Sequence, residues 1–144
     1  MTATIFAQIV GAIVTELQAA PAVSAHVYRA RMRPLPAGAL AVVCVRIGKA
    51  DLQRGVGSGV PHLAVTAVAV ECYARASAGT DVDTALDALL QSVITRLLAN
   101  PSLGGLVGDI NPTGVVYDFD ADGEQTACAA ITFDVMHVTP SFTF

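Results

Sequence analysis

Tryptophan is absent from this 144-residue chain, and aromatic residues make up only 6 % of it. Charge is scarce as well: 14 % of residues are charged, against about 25 % in ordinary soluble domains. No run approaches the roughly 18–20 uncharged apolar residues that a helical membrane span needs, which excludes that class of membrane protein. The amino terminus, MTATIFAQIVGAIVTELQ, is apolar but lacks the basic start and small-residue cleavage site of a secretion signal, so a cytoplasmic protein is expected. Three cysteines, Cys44, Cys72 and Cys128, are an odd number without a C-x-x-C spacing; each lies in a strand-like apolar run, as buried free thiols do. A net charge of −4 argues against nucleic-acid recognition, which needs concentrated basic charge to displace counterions from phosphates.

What the chain has in excess is small apolar residues. The hydrophobic share is 53 %, more than a core of this size absorbs, and an exposed surplus of this kind suits contact with other copies. Charge is also segregated. Arg29, Arg31, Arg33, Arg46, Lys49 and Arg54 face only Asp51 between positions 29 and 54, a segment of +5. Between 81 and 134, nine acids, among them Asp118, Asp120, Asp122, Glu124 and Asp134, face only Arg96, a segment of −8. A subunit with one basic and one acidic side can pair head to tail with its copies, although both segments could equally be solvated faces.

The periodicities give an α+β domain. Ile5, Phe6, Ile9, Val10, Ile13, Val14 and Leu17 recur on one helical face, predicting a helix over 3–19 that Pro21 ends. Strand-like runs follow at 24–33 and 39–47, separated by a turn at 34–38. Residues 48–61 hold four glycines and no apolar period, which reads as a flexible loop carrying Lys49 and Arg54 as candidate docking residues. A long strand at 62–75, apolar on both faces, is expected at the sheet centre. Val82, Leu86, Leu89, Leu90, Val93, Ile94 and Leu97 predict a second helix over 81–98, opened by a capping-box-like Thr80 and Asp83. Strands near 113–119 and 125–138 flank an Ala-Asp-Gly turn at 121–123. The expected architecture is one domain over 1–144, of order α-β-β-β-α-β-β, with about five mostly antiparallel strands and both helices on one face.

Catalytic signatures are missing. His26, His62 and His137 have no partner ligand nearby in sequence, and Ser58 in GVGSGVP lacks the strand-turn-helix setting of a nucleophile elbow. The same loop has neither the lysine nor the following helix of a phosphate cradle. Asp118, Asp120, Asp122 and Gly123 spell the start of an EF-hand loop, but the twelfth position is Ala129, so a hairpin turn is preferred over a weak divalent-cation site. Neither an enzyme nor a cofactor is expected.

The amino-terminal helix, the strand ending VAVECYAR, the helix TDVDTALDALLQSVITRLL and the closing stretch GLVGDINPTGVVYDFDADGEQTACAAITFDV together resemble the tail terminators of tailed phages, of the minor tail protein U type. The resemblance covers most of the chain. It implies a phage or prophage structural protein that forms a hexameric ring, sits on the tail tube protein, stops its polymerisation and offers a surface to the head–tail connector protein. Assembly would occur in the host cytoplasm and the product would reside in the virion tail. Under that reading Arg29, Arg31 and Arg33 on one side, and Asp118, Asp120, Asp122 and Glu124 on the other, are subunit-interface candidates. Two alternatives stand beside it: another neck or tail-completion protein, and a small dimeric α+β binding module unrelated to phages.

Overall fold

The computed structural model describes residues 3–29, 39–53, 62–75, 81–119 and 126–139. Seven elements follow in order: α1 (Ile5–Gln18), β1 (Val27–Arg29), β2 (Ala41–Gln53), β3 (His62–Arg75), α2 (Val82–Leu98), β4 (Asp109–Asp118) and β5 (Thr126–Thr139). The strands form one sheet of order β1-β2-β3-β5-β4. Neighbours are antiparallel except β1 and β2, which run parallel. The α+β class and the element order match the sequence reading.

Helix α1 starts where the Thr4 hydroxyl accepts the Ala7 amide at 3.2 Å, satisfying one of the donors that a helix start leaves open. Its far end is held from a distance. The Arg96 guanidinium, on α2, donates to the carbonyls of Glu16 at 2.9 Å, Ala19 at 2.8 Å and Pro21. These are groups that the end of a helix and its exit leave without intrahelical donors. Beyond α2, Leu103, Gly104 and Gly105 all have positive φ, and the two glycines adopt it without the Cβ penalty that Leu103 bears. The turn is tied back by Asn100, whose side chain accepts the Gly104 amide and donates to Glu16 on α1.

Both helices pack on the same side of the sheet, α1 over β1 and β2 and α2 over β3 and β5. The core between them joins Ile9, Ile13 and Leu17 of α1 and Leu86, Val93 and Leu97 of α2 to Val43, Val45, Val68, Val70, Ile131, Phe133 and Val135 of the strands. Full burial of each large side chain is worth roughly 1.5–3 kcal/mol. Among the described residues, the other side carries a small cluster of Ala39, Val42 and Cys44 with Tyr28 and Tyr73.

Three boundaries and one strand pairing differ from the sequence reading. The strand expected over 24–33 begins only at Val27, because Ser24 diverts the local backbone: its hydroxyl donates to the Ala41 carbonyl at 2.8 Å and accepts the His26 amide at 3.1 Å. β1 and β2, expected to turn back on each other, pair in parallel with Val27 opposite Val43. The loop placed at 48–61 is strand as far as Gln53, so Lys49 is a strand residue. Pairing with β3 carries β2 past its apolar stretch, and a bulge at Gly48 absorbs the irregularity; a Cβ there would stand 3.3 Å from the Ala67 carbonyl. Residues 54–61 lie outside the described residues. Finally, β4 starts at Asp109 rather than near 113 and passes through Pro112, which an edge strand tolerates because one side of its ladder is unpaired.

Candidate assembly surfaces

The sheet order places the two charge segments apart. Arg29, Arg46 and Lys49 lie on β1 and β2 at one edge, while Asp109 and Asp118 on β4 lie at the other. Part of the basic charge is engaged within the subunit. Arg29 donates to the Ala7 carbonyl at 2.9 Å, Arg46 pairs with Glu71 at 2.7 Å, and Lys49 pairs with Asp51 at 3.5 Å in full view of solvent. Asp118 closes β4, opposite Cys128. Arg31, Arg33, Arg54, Asp120, Asp122 and Glu124 lie outside the described residues, so the proposed acidic turn does too. Among the described residues, no three His, Cys, Asp or Glu side chains come together as a metal site would require.

The open side of the sheet ends in an apolar patch. Strand alternation turns Leu63, Met136 and Val138 outward there; Leu63 pairs with Val138, and together with Gly108 and Asp109 they border a hollow of about 310 Å³. At the β4 edge, Val116, Tyr117 and Phe119 are 72 %, 52 % and 54 % exposed. The Tyr117 and Phe119 rings stack, with centroids 6.2 Å apart and planes within 7°. Tyr117 pairs with the buried Ala129, which sets it on the helix side of the sheet, beyond the cover of α2. A cleft of about 260 Å³ opens on that same side at the opposite edge, bounded by Phe6, Val10, Val45 and Ile47, with Arg29 and Thr4 among its walls.

The ionisable groups in the interior are arranged against reactivity. Burial, and secondarily the neighbouring Cys128, push the Cys72 thiol up to about 12. Burial and the Glu71 carboxylate push Cys128 up to about 11. Both are therefore protonated at neutral pH, and a thiol in that state is a poor nucleophile. Tyr73 is raised in the same way, chiefly by burial. His137 is buried on the helix side, its Nε2 2.7 Å from the Thr66 hydroxyl and its ring edge-on to Phe6. Loss of water pushes its pKa below 6.5, which holds the ring neutral.

Sequence reasoning found the charge segregation but missed the Tyr117–Phe119 pair and Arg96 as features in their own right. The run VVYDF carried a signal, since alternate large apolar residues on a strand must face something. Its exposure depends on β4 being an edge strand, which one-dimensional periodicity does not encode.

No family model and no curated protein matches this sequence. Among solved structures, the fold is similar to that of a chain in the virion of a native gene transfer agent particle, with a TM-score of 0.61 at 13 % identity. The match covers 96 % of this chain and 99 % of that one. At this identity the likeness is one of fold.

Proposed function

We propose that this chain is a structural subunit of a phage-like particle, and more specifically a tail terminator that closes into a ring on the end of the tail tube. The observation that carries the reading is the fold likeness to a gene transfer agent virion chain, which runs through nearly the whole of both chains. Opposite charge at opposite edges of one sheet suits a head-to-tail ring, because a heterologous interface joins two different surfaces of the same molecule. A ring that stops tube growth needs two faces and a closed rim and no active site. Raised thiol pKa values and a neutral, enclosed His137 fit that non-enzymatic role.

The test is solution mass by light scattering at several protein concentrations, followed by addition of the protein to polymerising tail-tube subunits. A mass near six subunits together with tubes of arrested length supports the terminator. A ring that leaves tube length unchanged points to another neck or tail-completion protein. A dimer without effect on tubes points to the binding module. The charged contact is tested by Arg31→Glu, which is expected to lower assembly, with recovery when an acid in 118–124 is changed to lysine.

A further inference from the structure

The two features on the helix side of the sheet, an exposed aromatic pair at the β4 edge and an apolar cleft at the β1–β2 edge, are complementary. We propose that Tyr117 and Phe119 of one subunit enter the Phe6–Val10–Val45–Ile47 cleft of the next copy, forming the anchor of the subunit contact. The inference rests on the reading of this chain as a ring subunit and supplies that reading with its residues.

Three observations select a second copy as the occupant. The pair and the cleft lie on the same layer at opposite edges of the sheet, so that each subunit offers both halves of a heterologous contact and repetition propagates in one direction. The charges around them also match. The β4 edge that carries the pair ends in Asp118, set on the open face opposite Cys128, while the edge that carries the cleft has Arg29 in its wall, so the two edges are of opposite charge. Hydrogen bonding of Arg29 to the Ala7 carbonyl fixes the guanidinium there without cancelling its charge. The cleft also adjoins the start of α1, whose first turn has no acidic residue of its own to offset the helix dipole, which adds to the positive character that Arg29 gives this edge. Third, the chemistry fits that of an interface centre. Tyr and Phe bury a large area at low entropic cost, and a desolvated aromatic anchor in an apolar pocket with a charged rim is the usual arrangement of the residues that dominate binding.

The experiment uses the full chain. Tyr117→Asp spoils the aromatic pair and Ile47→Asp spoils the cleft; Tyr117 and Ile47 are 52 % and 44 % exposed, so neither is needed for the core, and melting curves verify folding. Each variant alone is expected to fall to monomer mass, whereas an equimolar mixture keeps one intact pair of surfaces per couple and stops at a dimer. A double variant, Ile47→Cys with Phe119→Cys, is expected to give a covalent ladder on oxidation, while each single variant stays at one chain and an equimolar mixture of the two single variants stops at two. The native Cys44, Cys72 and Cys128 are all buried and do not compete. If the wild type forms oligomers but the aspartate variants keep its mass and the double cysteine gives no ladder, the aromatic anchor is overturned and the ring reading stands. If the wild type is monomeric at every concentration and no ladder forms, both are overturned.

Discussion

β3 and β5 present alternate residues to two different surroundings. Toward the helices, Val68, Val70, Ile131, Phe133 and Val135 are almost wholly enclosed and form one continuous core. Toward the other side, the same two strands carry Ala67, Ala69, Thr132 and Asp134, the Glu71 that pairs with Arg46, and the exposed Leu63, Met136 and Val138. The fold is thus sustained from one side. An antiparallel sheet with one covered face can stand in water, and its second face is then free of the demands of the core. Large apolar residues that the core does not enclose include Leu63, Met136 and Val138 on the open face and Ile47, Val116 and Tyr117 at the edges.

The sharpest way to break this contrast is a truncation on each side. Phe133→Ala, at a position with no solvent exposure, is expected to lower unfolding free energy by about 3–5 kcal/mol in urea titrations. Val138→Ala, at 59 % exposure on the other face of the same strand, is expected to stay within about 0.5 kcal/mol of wild type. Equal losses would show that the open face is part of the core in solution. Second in size, Arg96→Ala should cost about 1–3 kcal/mol, since it strips the donors from three backbone carbonyls at the end of α1. A negligible loss would mean that apolar packing alone seats α1.

A smaller, acid-dependent effect is expected from His137. Its folded pKa lies below the unfolded value of 6.5, so the unfolded chain takes up the proton first. The stability that rests on the neutral ring is therefore complete above pH 6.5 and is lost as pH falls through the lowered folded pKa. His137→Gln should flatten this slope, and an unchanged slope would assign it to other groups. Glu71→Gln on the open face should cost no more than about 1 kcal/mol, because the Arg46–Glu71 pair is partly solvated, and the cost should shrink further as salt is raised.

Much of the covered side was legible from the chain. Of the α1 stripe, Ile9, Val10, Ile13 and Leu17 are buried and Ile5, Phe6 and Val14 half-buried; of the α2 stripe, Leu86, Leu89, Leu90, Val93 and Leu97 are buried and Val82 and Ile94 half-buried. These positions are readable because a helix facing one apolar layer must repeat its apolar residues at its own period. The misreadings share another cause. Gly48 and the polar residues after it look like loop, yet they are strand because β3 lies alongside with unpaired backbone groups to satisfy. Pro112 looks like a terminator and is not one, because β4 is an edge. Of the surface features, the separation of charge was legible, while the exposed aromatic pair and the cleft at the opposite edge were not.

The sequence by itself determined the fold class, the order of helices and strands, and which half of each element is apolar, since these follow from spacing along a few neighbouring residues. Only the tertiary structure decided that β1 pairs in parallel with β2, that β5 separates β3 from β4, and that Tyr117 and Phe119 stand exposed at one edge while Phe6, Val10, Val45 and Ile47 frame a cleft at the other. Which strand lies beside which is settled by contacts between residues far apart in the chain, and a local period of two is satisfied by any of those arrangements.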